Sequence, residues 1–162
     1  MHEDELEWMD VFVDSDWAGD RVTRRSTSGG VVSWAGGVLK TWSKRQSCTA
    51  TSSGEAELYS LAKGMAEALG IRSVAADLGW EVKLRIWTDS SAAKSIASRT
   101  GIGRTRHIDV SYLWVQEIAR MNFTRLKKID GRDNVSDVLT KPKGAIDLQN
   151  LLGKVNIKIV QT

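Results

Sequence analysis

The feature that most constrains this chain is an apolar strand pattern that ends on an aspartate, and it occurs twice. Residues 84–91 (LRIWTDSS) lead to Asp89 and then into a helix pattern over residues 90–97. Residues 11–19 (VFVDSDWAG) lead in the same way to Asp14. A carboxylate at a strand end beside a helix N-terminus can hold a hard cation near a phosphate, although Asp-Ser is also an ordinary helix cap. The two segments therefore predict a shared carboxylate site.

The size and composition of the chain are typical of one globular domain. It has 162 residues, of which 41% are hydrophobic and 27% charged, and its single cysteine excludes an intrachain disulfide. We expect one domain over residues 1–162, with a core over about residues 8–142 and a C-terminal extension over residues 143–162. The sequence has no signal-peptide pattern and no apolar run that could span a bilayer, so we expect no membrane association. The net charge is only +3, but clustered lysines and arginines permit phosphate binding.

Hydrophobic periodicity and turn signals predict the element order β-β-β-α-β-α-α-β-α. The strands are expected over residues 8–14, 30–35, 38–43, 83–88 and 122–129. The helices are expected over residues 53–78, 90–97, 107–121 and 134–140. Gly36 and Gly37 predict a two-residue hairpin turn, and the residues from Ser52 to Glu55 have the form of a capping box. The apolar face rotates after Gly70, which predicts a kink or break there.

Four acidic residues fall where predicted turns bring element ends together: Asp14, Glu57, Asp89 and Asp137. Magnesium takes oxygen ligands and keeps several waters, so a few carboxylates and substrate phosphate oxygens are enough to hold it. Two such ions about 4 Å apart can stabilise the attacking and leaving oxygens of a phosphoryl displacement. Taken singly, each acid is equally well explained as a cap, an exposed helix residue or an acid in a helix first turn. The residues alone leave both interpretations open.

Seven segments make the chain resemble the ribonuclease H domain at the C-terminal end of copia-type (LTR) retrotransposon polyproteins. The segments are residues 14–20 (DSDWAGD), 25–29 (RSTSG), 42–46 (WSKRQ), 52–57 (SSGEAE), 88–92 (TDSSA), 104–109 (RTRHID) and 136–142 (SDVLTKP). They occur in order and cover nearly the whole chain. The resemblance implies an α/β, ribonuclease H-like fold: a mixed five-stranded sheet, with its first three strands antiparallel and helices on both faces.

The resemblance also implies which residues form the active site. In that family an Asp-Glu-Asp-Asp set binds two Mg²⁺ ions, with Mn²⁺ as a substitute. Matched residue by residue, the catalytic and metal-binding set is Asp14, Glu57, Asp89 and Asp137. Three neighbouring acids remain alternatives: Asp16, Glu55 and Asp133.

The implied activity is endonucleolytic hydrolysis of the RNA strand of RNA–DNA hybrids during reverse transcription of a retroelement. Hydroxyls beside the acids are candidates for reading the RNA 2′-hydroxyl, namely Ser15, Ser52, Ser53 and Ser90. Cations are candidates for the DNA phosphates, namely Arg24, Arg25, Lys44, Arg104 and Arg106. The implied partner is a reverse transcriptase domain N-terminal in the same polyprotein. The implied location is the cytoplasm, within retroelement particles, with the nucleus as an alternative.

The chain departs from the family pattern in two places. Cellular and retroviral members carry a histidine just before the last aspartate, whereas residues 127–136 contain none and the role of His107 is open. Some members carry an additional basic helix where this chain has the short segment 99–106. We therefore expect weak hybrid binding by the isolated domain. Two other functions stay open: a catalytically weak hybrid-binding module that supports a reverse transcriptase, and a related nuclease or integrase acting on DNA.

Overall fold

The computed structural model describes residues 6–101 and 114–159. Its strands are β1 (Trp8–Asp16), β2 (Thr27–Trp34), β3 (Gly37–Arg45), β4 (Lys83–Thr88) and β5 (Thr124–Lys128). Its α-helices are α1 (Ser53–Asp77), α2 (Ser91–Ser98), α3 (Trp114–Ala119) and α4 (Ala145–Gly153). Two 3-10 helices follow β5, the first at Gly131–Asp133 and the second at Val135–Leu139. Within these two described ranges, no helix combines the length and the apolar character that crossing a membrane requires.

The five strands form one mixed sheet in the order β3-β2-β1-β4-β5. The pairs β1–β2 and β2–β3 are antiparallel, and the pairs β1–β4 and β4–β5 are parallel. This is the predicted mixed five-stranded sheet, with its first three strands antiparallel. Val13 on β1 pairs with Thr88 on β4, so Asp14 and Asp89 each directly follow a paired residue. Because neighbouring strands lie about 4.8 Å apart, this register brings the two aspartates together at the carboxyl ends of β1 and β4.

The main core lies between the sheet and α1. It includes Val11 and Val13 from β1, Leu84 and Ile86 from β4, and apolar residues of α1 such as Leu61. The alternation of side chains along β1 places its odd-numbered apolar residues on this face.

A smaller core covers part of the opposite face of the sheet. Val31, Val135 and Val155 form its buried centre. The C-terminal extension therefore contributes Val155 and the buried Leu151 to packing, although its sequence indicates no partner. Helical elements consequently lie on both faces, as predicted.

Two local features differ from the sequence-based expectations. The hairpin turn consists of Ala35 and Gly36, with φ values of +52° and +76°, and Gly37 already pairs with Trp34 in the sheet. Two consecutive positive φ angles are typical of a type I′ turn, which matches the twist of the flanking strands. The prediction of a break at Gly70 is wrong, because α1 runs unbroken through it. Burial of Ala68 and Ala75 on either side outweighs the cost of one glycine, about 1 kcal/mol.

The last two predicted helices correspond to shorter elements in the described residues. The expected helix over residues 107–121 is described only from residue 114, as α3, and its first half lies outside the described residues. The expected helix over residues 134–140 forms as the second 3-10 helix, with Asn134 as its N-cap.

The contact between α1 and β1 generates a prediction about two glycines of the same helix. A Cβ at Gly64 would collide with Val13 Cγ1, a stiff and fully buried group, whereas a Cβ at Gly70 would meet open space. Gly64→Ala should lower the free energy of unfolding by about 1–2 kcal/mol net, and Gly70→Ala should raise it by up to about 1 kcal/mol. Chemical denaturation of the two variants measures both changes. Equal effects of the two substitutions would contradict this packing.

Candidate metal-binding active site

Three carboxylates form an acidic cluster, which we define as Asp14, Glu57 and Asp89. Each contributes an oxygen, and these oxygens all lie within 4.8 Å of one another. Asp14 comes from β1, Asp89 directly follows β4, and Glu57 lies in the second turn of α1. Asp14 and Glu57 are buried and Asp89 is half-buried. The parallel β1–β4 pair and the start of α1 thus bring together acids that lie far apart in sequence.

Glu57 supplies the observation that tests whether this cluster fits a cation. Its Oε1 accepts hydrogen bonds from the Ser15 amide (3.2 Å) and the Ser15 hydroxyl (2.8 Å). Its Oε2 is buried and has no hydrogen-bond partner among the described residues. A buried carboxylate oxygen without a donor is costly, and oxygen ligands are those that hard divalent cations prefer. The cluster therefore fits a hard divalent cation.

The raised pKa values of the acidic cluster also indicate a cation site. Burial raises the pKa of Glu57 to about 8, and the neighbouring Asp14 and Asp89 charges add to that shift. Burial raises the pKa of Asp14 to about 6, although a hydrogen bond from Thr140 and the charge of Lys141 oppose the shift. Burial also raises the pKa of Asp89. The three acids are thus costly to ionise together unless a cation lies among them.

Asp137 lies at the rim of this site rather than in the acidic cluster. The Lys141 ammonium is 3.0 Å from Asp137 Oδ1 and 3.5 Å from Asp14 Oδ2, so one cation contacts both carboxylates. Lys143 forms an ion pair with Asp137 Oδ2. Burial alone would raise the pKa of Asp137, but hydrogen bonds from Lys143 and Lys141 outweigh it and lower that pKa. Of the four predicted ligands, the structure brings three into close contact and leaves Asp137 joined to them through Lys141.

The three alternative acids lie elsewhere. Glu55 Oε2 accepts hydrogen bonds from the amide and hydroxyl of Thr51, both at 2.6 Å, and its other oxygen accepts one from Tyr59. Asp133 is exposed and forms an ion pair with Lys154. Asp16 is half-buried at the end of β1 and is not part of the close carboxylate group found among the described residues.

The predicted substrate-contacting serines are mostly engaged within the protein. Ser15 donates to Glu57, so its hydroxyl orients a candidate ligand. Ser52 and Ser90 accept from the amides of Glu55 and Ala93, and both are therefore helix N-caps. Ser53 is the exposed first residue of α1.

The predicted phosphate-binding cations fall into two groups. Arg24 and Arg25 are exposed in the segment before β2, and Lys44 is exposed on β3. Arg104 and Arg106 lie outside the described residues, as does His107.

Two further polar residues hold the site together and were not recognised from the sequence. Asn134 is fully buried, donates to the Val13 carbonyl (2.9 Å) and accepts from the Ser136 hydroxyl (2.6 Å), so it ties the second 3-10 helix to β1 next to Asp14. Thr140 donates its hydroxyl to Asp14 Oδ2. The Asn-x-Ser spacing is a recognisable cap signal, whereas Thr140 and Lys141 belong to the matched segment 136–142 without any pattern that indicates their contacts, and Lys143 lies just outside it.

The raised pKa of Glu57 predicts how the stability of the metal-free chain depends on pH. Between the ordinary value of 4.5 and about 8, the folded chain keeps a proton on Glu57 that the unfolded chain releases. The free energy of unfolding should therefore fall as pH rises through that window, by up to about 1.4 kcal/mol per pH unit for one group. Glu57→Gln should flatten this decline, and the exposed Glu117→Gln should leave it unchanged. Denaturant titrations at several pH values, in the presence of a chelator, measure how the free energy of unfolding changes with pH. Identical pH profiles for wild type and Glu57→Gln would contradict this electrostatic picture.

Comparison with known proteins gives transposon polyproteins among the relatives of this chain. No protein-family model matches the chain. The chain is 31% identical over 141 residues to the retrovirus-related Pol polyprotein from transposon TNT 1-94 of Nicotiana tabacum, a match that covers 85% of the chain and 11% of the polyprotein. The corresponding polyprotein from transposon RE1 of Arabidopsis thaliana is 28% identical over 150 residues, covering 91% of the chain and 10% of the polyprotein. The chain thus spans about a tenth of the length of these curated relatives.

Solved structures that resemble the chain include two named as ribonuclease H and one named as a protease-reverse transcriptase. The N-terminal ribonuclease H domain of a Mycobacterium tuberculosis protein superposes with a TM-score of 0.58 at 15% identity, covering 91% of this chain and 95% of that one. LC11 ribonuclease H1 in complex with an RNA/DNA hybrid superposes with a TM-score of 0.54 at 14% identity, covering 81% and 92%. The protease-reverse transcriptase of prototype foamy virus gives 0.55 at 16% identity, covering 86% of this chain and 21% of that one. The chain therefore has a ribonuclease H fold and is homologous to a segment of the retrovirus-related Pol polyproteins of plant transposons.

Proposed function

We propose that this chain is the ribonuclease H domain of a copia-type retroelement polyprotein and cuts the RNA strand of RNA–DNA hybrids in a reaction that depends on divalent metal. The acidic cluster carries the proposal. Three carboxylate oxygens lie within 4.8 Å of one another, and Glu57 Oε2 is buried among them without a hydrogen-bond partner in the described residues. Such a group is stable in its charged form only with a cation beside it.

Some residues of the site would bind the metal ions, and others would position those ligands. Asp14, Glu57 and Asp89 would hold the divalent ions, two Mg²⁺ or Mn²⁺, with Asp137 completing the set. Bound ions would neutralise the phosphate and stabilise the charge that develops during in-line hydrolysis. Ser15 and Thr140 would keep Glu57 and Asp14 in position, through the hydrogen bonds that they donate to these carboxylates.

A cationic pocket offers a second contact surface for the substrate. It has a volume of ≈ 340 Å³, and its lining includes Lys44, Arg45, Lys63, Tyr59 and Trp114. Ser15 pairs with Ser28, which pairs with Lys44, so two strand spacings, about 10 Å, separate Lys44 from the end of β1. Ammonium groups bind nucleic-acid phosphates irrespective of sequence.

Because this pocket lies apart from the acidic cluster, the two sites together support contacts to both strands of a hybrid. We assign it to the DNA strand, with Arg24, Arg25, Arg104 and Arg106 as further candidates for phosphate contacts. Ser52, Ser53 and Ser90 remain candidates for contacts to the RNA strand, whose 2′-hydroxyl distinguishes it from DNA. The hybrid bound to LC11 ribonuclease H1, a protein of the same fold, supports this substrate class.

The relatives suggest the biological setting. We place the domain, over residues 1–162, next to a reverse transcriptase domain of the same polyprotein, where it would remove the RNA template during reverse transcription. The likeness to a segment of the foamy virus protease-reverse transcriptase supports that arrangement. The corresponding location is the retroelement particle in the cytoplasm, or the nucleus.

One observation favours a second candidate function, a hybrid-binding module that cuts weakly. Asp137 has both carboxylate oxygens in ion pairs, one with Lys141 and the other with Lys143. If these pairs persisted in the presence of metal, only the acidic cluster would remain for ligation, and catalysis would be poor although the fold could still hold a hybrid.

The first experiment incubates a labelled RNA–DNA hybrid with the chain and Mg²⁺ or Mn²⁺. Wild type should cleave the RNA strand, and Asp89→Asn should reduce the rate at least about a thousandfold because it removes a ligand of the acidic cluster. Asp89→Asn should fold with unchanged or slightly higher metal-free stability, because repulsion is relieved. Asp133→Asn is the matched control and should cleave like wild type, since Asp133 pairs with Lys154 at the surface.

Three results of this assay would argue against the proposal. Binding of the hybrid without cleavage at high protein concentration in Mn²⁺ would select the binding module. Cleavage of duplex DNA but not of the hybrid would select a DNA nuclease. Unfolding of Asp89→Asn would show that Asp89 has a structural role.

A second experiment tests the cationic pocket by hybrid binding at several salt concentrations. Lys44→Ala should weaken binding and lower the slope of log K against log salt by about 1, the value expected for one lost phosphate contact. Lys40→Ala is the matched control, because Lys40 lies on the same strand and is engaged by Glu67 at 2.5 Å. Equal effects of the two substitutions would remove the pocket from the substrate-binding surface.

A further inference from the structure

The Lys141 side chain occupies the space between two candidate metal ligands. Its ammonium lies 3.0 Å from Asp137 Oδ1 and 3.5 Å from Asp14 Oδ2. Lys143, by contrast, pairs with Asp137 alone among the described residues. Lys141 is therefore the cation that joins the rim of the site to the acidic cluster.

The backbone around Lys141 directs it to this position. Its amide donates to the Asp137 carbonyl at 3.1 Å, closing a turn that brings the lysine back over the aspartate. The preceding residue, Thr140, donates its hydroxyl to the same Asp14 oxygen that Lys141 contacts. A Cβ at Gly29 would come within 2.6 Å of Thr140 Cγ2, so β2 packs closely under this segment. The contact thus belongs to a turn packed against the sheet.

The site consequently has two unlike positions for positive charge. At the first, Glu57 Oε2 is buried beside Asp14 and Asp89 and has no hydrogen-bond partner among the described residues. At the second, between Asp14 and Asp137, a lysine ammonium already contacts both carboxylates. A divalent ion binds carboxylate oxygens at about 2.1 Å for Mg²⁺, so it cannot share the second position with the lysine.

We propose that Lys141 is a built-in counter-ion that competes with a second divalent ion for Asp14 and Asp137. The inference rests on the proposed metal-dependent function. Metal loading is then sequential: the first ion enters the acidic cluster, and the second binds only when Lys141 leaves. The competition weakens the second binding event by the factor that favours the lysine contact, of the order of tenfold.

Calorimetric titration of the full chain with Mn²⁺ alone tests this inference. Lys141→Met, which removes the charge and keeps most of the side-chain length, should tighten the second binding event about tenfold and the first by a smaller factor, because the ammonium also lies 3.5 Å from Asp14. Lys141→Gln provides a second neutral variant if Lys141→Met folds poorly. Lys128→Met is the matched control, because Lys128 acts on Asp89 through its charge and contacts the Ser91 hydroxyl at 2.5 Å. It should leave the second event unchanged within about twofold.

Thermal unfolding gives an independent readout. Without metal, Lys141→Met should melt at a lower temperature than wild type, because Asp14 and Asp137 lose their counter-ion; in saturating Mn²⁺ the two should melt together. Equal affinity of wild type and both neutral variants for the second ion would overturn the role of Lys141 and leave the proposed nuclease function standing. Tightening of the second event by Lys128→Met to the same extent would also overturn it. Absence of any Mn²⁺ binding to wild type would overturn the inference and the proposed function together.

Discussion

The rest of this structure depends on the mutual repulsion among three carboxylates, those of Asp14, Glu57 and Asp89. Their oxygens lie within 4.8 Å of one another, and burial raises the pKa of each acid. The surrounding fold holds them in place through ordinary interactions: the parallel β1–β4 register, the capped start of α1, and the Ser60 hydroxyl that donates to the Asp14 carbonyl at 2.6 Å. The apolar packing between α1 and the sheet supplies the stability that offsets the electrostatic cost.

The segment after β5 moderates this repulsion from the other side of β1. Asn134 ties it to the sheet, and its later residues bring two lysines to the rim of the site. Positive charge is thus supplied at Asp14 and Asp137, whereas Glu57 Oε2 has no hydrogen-bond donor among the described residues. In the metal-free site, lysine side chains therefore contact the carboxylates on one side only. This asymmetry links the stability of the fold to the order in which cations would bind.

Much of the fold and part of the site could be predicted from the sequence, because both depend on local patterns. Apolar runs ending in Asp14 and Asp89 indicated two strands whose carboxyl ends lie close together. The capping signal placed the start of α1 near Ser52. Gly70 was misjudged because local propensity was outweighed by burial on both sides of it. The partner of Val155 was not predictable, since a short apolar pattern after α4 does not identify the element against which it packs. The ion pairs of Asp137 depend on the path of the chain after Leu139, and no spacing rule encodes that path.

The measurement that bears most directly on the central claim is a crystal structure of the chain soaked in Mn²⁺, with anomalous scattering used to locate the ions. The account predicts a peak among Asp14, Glu57 and Asp89, with carboxylate oxygens at about 2.0–2.6 Å. Glu57 Oε2 should be among the ligands. Anomalous peaks only at other surfaces, or Glu57 Oε2 held by a protein donor in place of an ion, would contradict it.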